Sequence, residues 1–349
     1  MRSFVRVLVV SGLLSVVLVS LAEHVLMGVY SPVREMFVFD SNDRVKSENG
    51  SSDNSASHIP KEWMTRYPQG NFINPVHVAQ RVRSDSLSIL RNGVREATRP
   101  DEVVAVADVL AILGEAVSFE GLDGMVLAYE FFWDAYGLTP GWRSGMAQAH
   151  GIEVMLAAYK LTADDRYRRS AVALGNAMLI PVEEGGVAVQ LEEGVWLEEY
   201  AQEGASPSFA LNGHIFAVEG LMELAKVEGR FSDAVEDAVL ATEFLLPEFN
   251  KVFWSHYDLQ GQPANQKYHW VHIRQMKWLY EVTGTEVFRK YHRVFVSQQF
   301  VPVQALYRLV TNPNRFLVFL LLVHWVMFFA GVMAVVRLRG WSKRRISHG

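Results

Sequence analysis

A chain of 349 residues can hold one large domain or two ordinary ones, and with half its residues hydrophobic it can bury a sizeable core. Its net charge of −5 lacks the basic face that nucleic-acid binding needs, so nucleic acid is excluded as a partner. The absence of cysteine removes disulfides and thiolate metal sites from consideration.

The N-terminus carries Arg2 and Arg6 ahead of an uncharged run from Val7 to Ala22. This pattern fits a signal peptide, with Ser20 and Ala22 as a small-x-small cleavage site, and fits a retained anchor equally well. Residues 23–58 are then expected to be a polar linker, since Asp40 to His58 is rich in Ser and Asn and cannot bury enough to fold.

From residue 59 to 311 helical periodicity dominates, with apolar residues three and four apart. It predicts helices in "DEVVAVADVLAILGEAVSF" and "DGMVLAYEFFWDAYG", then in "SGMAQAHGIEVMLAAYKLT" and "DRYRRSAVALGNAML". It continues through "SFALNGHIFAVEGLMELAKVEG" and "FSDAVEDAVLATEFL" to "YHWVHIRQMKWLYEVTG" and "TEVFRKYHRVFV". Tight polar turns recur near residues 163, 229 and 284, so the helices pair as hairpins. The expected fold is mainly α: stacked hairpins forming a superhelix or closing into an α/α toroid. The segments 181–207 and 247–267 between hairpins are long and rich in Gly, Trp, Tyr and Glu, a composition that commonly builds a site.

The stretch from Phe316 to Val336 has no formal charge, and about 20 apolar residues cross a bilayer. Arg337, Arg339, Lys343, Arg344 and Arg345 follow it in a basic tail, 337–349. Cations beside a span mark the cytoplasmic side, and Arg2 and Arg6 do the same at the other end. The expectation is a membrane-tethered domain outside the cytoplasm, with the C-terminus inside.

Four clusters concentrate side chains suited to chemistry: "PGWRSGMAQ" (140–148), "WLEEY" (196–200), "SHYDLQ" (255–260) and "YHWVHIRQ" (268–275). Aromatic faces for sugar rings, with amides and charges for hydroxyls, make a carbohydrate site the natural reading. On their own, adjacent acids such as Glu198 and Glu199 are usually a solvated surface. His269 and His272, with His256 nearby, do not form a strong metal motif, and no metal is expected. No organic cofactor is implied, since no phosphate-cradling glycine loop occurs.

These clusters, together with "AYKLTADDRY" and "SFALNGHIF", resemble in content and order the C-terminal domain of the D-glucuronyl C5-epimerases, over about residues 140–295. The resemblance does not reach that family's β-rich middle region. It implies an epimerase that converts D-glucuronate to L-iduronate within a heparosan- or heparan-like polysaccharide, or another uronate-containing glycan. By position, Glu199 and Tyr268 match the acid/base pair, and Tyr200 and Tyr257 match tyrosines at the reacting centre. Trp142, Arg143, Gln148, Trp196, Asn212, Gln260, His269, His272 and Arg274 are the expected substrate-binding set. His269 is read as orienting a tyrosine or binding a hydroxyl, and Glu198 as orienting Glu199 or facing solvent.

Three positions depart from the family pattern. Gln260 stands where relatives carry arginine after "YDL", so Arg274 or Arg143 would have to supply the cation for a uronate carboxylate. Ala201 replaces the proline after "EEY", and Ala149 the glycine after "MAQ". The alternatives are a polysaccharide lyase, a glycoside hydrolase using Glu199 and Asp258, and a non-catalytic glycan-binding protein. The partners implied are the polymer and the membrane, with a homodimer left open.

Overall fold

The computed structural model describes residues 2–29, 61–67, 69–251, 253–311 and 315–346. Most of the expected linker lies outside the described residues. Its first part is helical, because helix α1 runs from Arg2 to Val29. The described chain is mainly helical and divides into two compact units. The first holds the described residues from 61 to Phe249, with Asp258–Gln260. The second holds α1, Asn250–Tyr257 and the described residues from Gly261 onward.

The first unit opens with an antiparallel pair, β1 (Met64–Tyr67) and β2 (Gly70–Ile73). Three helices follow: α2 (Pro75–Gln80), α3 (Arg83–Asn92) and α4 (Pro100–Leu113). The periodicity predicts that helix continues to residue 119 and that another covers 123–137. The structure corrects both. Strand β3 (Gly114–Phe119) turns into β4 (Leu122–Tyr129), and a single 3₁₀ turn at Asp134–Tyr136 replaces the rest of the expected helix. The reason is the two-residue loop Glu120-Gly121. Both residues take positive φ (50° and 82°), the geometry that matches hairpin twist and that a helix cannot hold. Strand β5 (Trp142–Arg143) pairs with the end of β4, setting Trp142 opposite Tyr129 and Arg143 opposite Ala128.

Helices α5 (Gly145–Thr162) and α6 (Asp165–Leu179) then form the first expected hairpin. Ser144 caps α5 by accepting from the Ala147 N–H (3.3 Å), and Asp164 caps α6 by accepting from the Arg166 N–H (3.0 Å). Ala163, with φ 56°, makes the left-handed residue that ends α5. Helix α5 is buried almost all round, as expected of a central helix. A short hairpin, β6 (Ala188–Gln190) with β7 (Val195–Leu197), precedes α7 (Leu211–Ala225) and α8 (Ser232–Phe249).

One arginine ties three of these helices together. Arg83 on α3 donates to both oxygens of Glu153 on α5 (2.6 and 2.8 Å) and to Glu219 on α7 (2.5 Å). Glu153 is fully buried, and that burial pushes its carboxyl up to about 7 despite the opposing pull of Arg83.

In the second unit, β8 (Asn250–Lys251) pairs with β9 (Trp254–Ser255). Helix α9 (Gln266–Thr283) is capped by Asn265, which accepts from the Tyr268 N–H (3.0 Å), and stops at left-handed Gly284. It packs on α10 (Glu286–Gln298) as the expected hairpin. Then come α11 (Gln304–Thr311) and α12 (Arg315–Ile346). Helix α12 takes in the expected span and carries on through most of the basic tail. The stretches Phe4–Ala22 and Arg315–Leu338 are long and apolar enough to cross a bilayer.

Replacing Arg83 by Met should strand the buried Glu153 charge and destabilise the fold by about 3–5 kcal/mol. Thermal unfolding of the purified full chain reads this. The deficit should widen as pH rises above about 7, where Glu153 ionises beside Arg83 in the native protein while the unpaired carboxyl of the variant still holds its proton and only its unfolded form ionises.

Candidate active site

The "WLEEY" segment lies across the start of α5. The Gly145 N–H donates to the Glu198 carbonyl (2.7 Å), and Arg143 and Ala201 exchange two backbone hydrogen bonds (2.8 and 2.9 Å). Ala201 thus donates one of these bonds through an N–H that the proline expected there from the resemblance would lack.

Glu198 and Glu199 have different surroundings. Glu198 is 1% exposed and accepts from the Ser208 hydroxyl (2.5 Å), the Tyr200 N–H (3.0 Å) and the Phe209 N–H (2.9 Å). Burial pushes its carboxyl up while these donors hold it down. The solvent-facing expectation for Glu198 is corrected: it is the anchor of the loop from 198 to 209. Phe209, at φ 54°, is a non-glycine residue in the left-handed region, held there in part by its bond to Glu198.

The Glu199 carboxylate sits at the first turn of α7. Asn212 donates to its Oε2 at 3.4 Å. A Cβ placed on Gly213 would lie 2.0 Å from the same oxygen, so only glycine leaves room for this carboxylate. The charge of Glu199 adds to burial in raising the Tyr129 and Tyr136 hydroxyls above their ordinary value.

Aromatic rings extend from this point. Tyr200 stacks on Tyr136 (4.3 Å between centroids, 26° between planes) and lies parallel to Trp133 at 6.4 Å. Trp142 stacks on Tyr129 at 3.8 Å and meets Tyr200 at 5.9 Å. Tyr136 donates its hydroxyl to Asp258 (2.6 Å), and burial followed by this bond raises its pKa, so it stays protonated. Trp133 and Tyr136 belong to no recognisable motif. The cue for them was the "EG" loop, which puts the following residues in strand and turn instead of helix.

The first unit thus gathers Glu199, Tyr200, Trp142, Arg143 and Asn212. Arg143 is half-buried, its guanidinium beside Gly185. Trp196 and Gln148 are fully buried. Trp196 stacks between His214 (3.8 Å) and Phe249 (5.8 Å), which makes it part of the wall behind the loop. Gln260 is exposed.

The second unit gathers Tyr257 and Tyr268, edge to face at 4.7 Å, with the Lys267 ammonium 5.5 Å from the Tyr268 ring. Arg274, on the same helix, is exposed. His269 and His272 are fully buried, and both Nδ1 atoms meet the Ser255 hydroxyl (2.8 and 2.9 Å). His269 also pairs through Nε2 with the Phe295 carbonyl and stacks on Trp254 at 3.7 Å. Burial lowers both imidazoles to about 3, leaving them neutral. As placed, the two rings serve the interior of the hairpin.

Residues 123–297 match the D-glucuronyl C5-epimerase C-terminus family, a stretch that includes every residue of this set. The chain belongs to that family. Over 176 residues it is 33% identical to an uncharacterized protein of Methanocaldococcus jannaschii, covering 48% of this chain and 56% of that one. Over 174 residues it is 31% identical to the D-glucuronyl C5-epimerase of Caenorhabditis elegans, covering 44% of this chain and 28% of that protein. The match therefore spans about half of one relative and less than a third of the other. A crystal structure of D-mannose isomerase overlaps 66% of this chain and 61% of its own, with a TM-score of 0.40 and 16% identity.

The fit of this family member's Glu199 against Gly213 can be tested without an activity assay. Gly213→Ala should destabilise the protein by about 1–3 kcal/mol through overpacking. Combined with Glu199→Ala, which removes the colliding carboxylate, the same change should cost markedly less. Thermal unfolding of the two single variants and the double variant reads the coupling.

Proposed function

We propose that the chain is a membrane-anchored epimerase that inverts C5 of D-glucuronate to L-iduronate within a polysaccharide, heparosan- or heparan-like or another uronate-containing glycan. The observation that carries this reading is the Glu199 carboxylate, seated against Gly213 beside a row of aromatic rings, within the segment matching the epimerase family. Its helical hairpins close into an α/α toroid. The apolar helices α1 and α12 cross the membrane, with both basic ends in the cytoplasm and the intervening domain outside.

The chemistry asks for three things. The C5 hydrogen lies alpha to a carboxylate and is very weakly acidic, so negative charge developing on that carboxylate must be stabilised. One group must take the proton from one face of the ring, and another must return a proton to the other face. Glu199 and Tyr268 are this pair, with Tyr200 and Tyr257 at the reacting centre. A phenol at its ordinary pKa near 10 is a ready donor at neutral pH. The ring faces of Tyr200 and Trp142 receive the sugar, and Asn212 steadies the Glu199 carboxylate. Arg143 supplies the cation for the uronate carboxylate, because it lies in the same unit as Glu199 and is tied by its backbone to Ala201.

Turnover in D2O should place deuterium at C5 of a uronate polymer, with chain length unchanged and no unsaturated ends. Tyr268→Phe and Glu199→Gln should each lower exchange by about 10²-fold or more while the protein stays folded. A 4,5-unsaturated end would mark elimination and sink the epimerase reading, and so would exchange that survives in both variants. Glu198→Gln should show the opposite profile. An amide has one acceptor oxygen for three donors, so it should cost about 1–3 kcal/mol of stability, with a much smaller effect on exchange than Glu199→Gln.

A further inference from the structure

Cleavage after Ala22 would remove most of α1, so whether that helix is dispensable can be judged from what it touches. Helix α1 lies antiparallel against α12. Phe4 meets Phe329 edge to face at 5.6 Å, and Trp325 donates through Nε1 to the Leu8 carbonyl and the Ser11 hydroxyl (both 3.1 Å). Further along, the Ser15 hydroxyl donates to the Leu321 carbonyl (2.6 Å). As numbers rise along α1 they fall along α12, so the arginines at the start of α1 and the basic end of α12 fall on one side. That side was assigned independently from charge alone.

The far end of α1 is fastened as well. Val19 is fully buried in an apolar cluster with Ala305, Phe316, Leu317 and Leu320. Ser20 is 3% exposed. Its carbonyl accepts from the Gln304 side chain (2.7 Å), and its hydroxyl accepts from the Ala305 N–H (3.0 Å). The helix continues without a break through residues 20–22 to Val29. A signal peptidase needs its site extended and accessible. Here the serine of the small-x-small motif is helical, buried and twice hydrogen-bonded.

We infer that α1 is not a cleaved signal but a permanent partner of α12, and that the two make an antiparallel transmembrane hairpin pinned by Trp325–Ser11 and Ser15–Leu321, with α11 fastening the far end of α1 through Gln304–Ser20. Small hydroxyl residues let the two backbones approach, and each polar contact is satisfied within the pair, which is what an apolar surrounding requires. The pairing itself rests on contacts; only its placement in a bilayer rests on the membrane reading above.

The full chain, produced in its membrane, tests this on three counts. The intact mass should include residues 2–22; a mature N-terminus at Glu23 would overturn the inference. The native chain has no cysteine, so paired substitutions report cleanly. Ser15→Cys with Leu321→Cys should cross-link through a short bifunctional reagent, while Phe4→Cys with Leu317→Cys, close only in a parallel pair, should not. The reverse result would overturn the pairing. Alkaline carbonate should leave the protein in the membrane pellet. Release with the N-terminus and the cross-link intact would support the helix pair and defeat the bilayer placement alone.

Discussion

The close approach of α5 and α7 is the constraint on which the first unit depends. Gly220 on α7 lies against Ala149 on α5 so tightly that a Cβ there would come within 2.6 Å of the Ala149 Cα. Two helices this close cannot keep ordinary side chains between them, so their order is set by backbone shape. Arg83 then bridges from α3 to a carboxylate on each, and the bridge gains directional bonds where packing alone would be smooth. The methyl group of Ala149 lies directly against Gly220, so the contact depends on that one glycine.

The candidate site follows from that constraint. The start of α5 receives the "WLEEY" segment through the Gly145 N–H, and the start of α7 receives the Glu199 carboxylate at Gly213. Both helix starts are fixed by the same crossing, so the position of Glu199 is inherited from the packing beneath it. The β3–β4–β5 sheet contributes the other wall, carrying Tyr129 and Trp142 as a stacked pair. Preorganisation of this kind lets a carboxylate act without first being moved.

Much of this was legible in the sequence. The hairpins α5–α6, α7–α8 and α9–α10 follow from apolar spacing and from the polar turns near residues 163, 229 and 284. Glu199, Tyr200 and Tyr268 are singled out by the family resemblance of the motifs that hold them, and their roles are proposals. The β3–β4 hairpin did not, because the apolar spacing of α4 runs on into it and only the Glu120-Gly121 loop marks the change of period. Trp133 and Tyr136 were lost with it. The histidines of α9 were misleading for a related reason: a polar side chain near a candidate tyrosine reads as a ligand until its burial against Ser255 and Phe295 is known.

The two neighbouring glutamates show why such distinctions need the fold. Just past the end of β7 the chain bends at Glu199, and the two side chains part. One of the pair turns into the interior while the other turns toward α7. The inward one, Glu198, is tolerable because its carboxylate meets donors that include the Ser208 hydroxyl and the Tyr200 and Phe209 N–H groups, two of them from residues ten and eleven positions away. Its bond to the Phe209 N–H helps keep that residue in its left-handed conformation, directly before the turn into α7 and Gly213. Holding the loop and presenting the carboxylate are thus divided between adjacent residues of the same type, and what separates them is the set of donors each one meets.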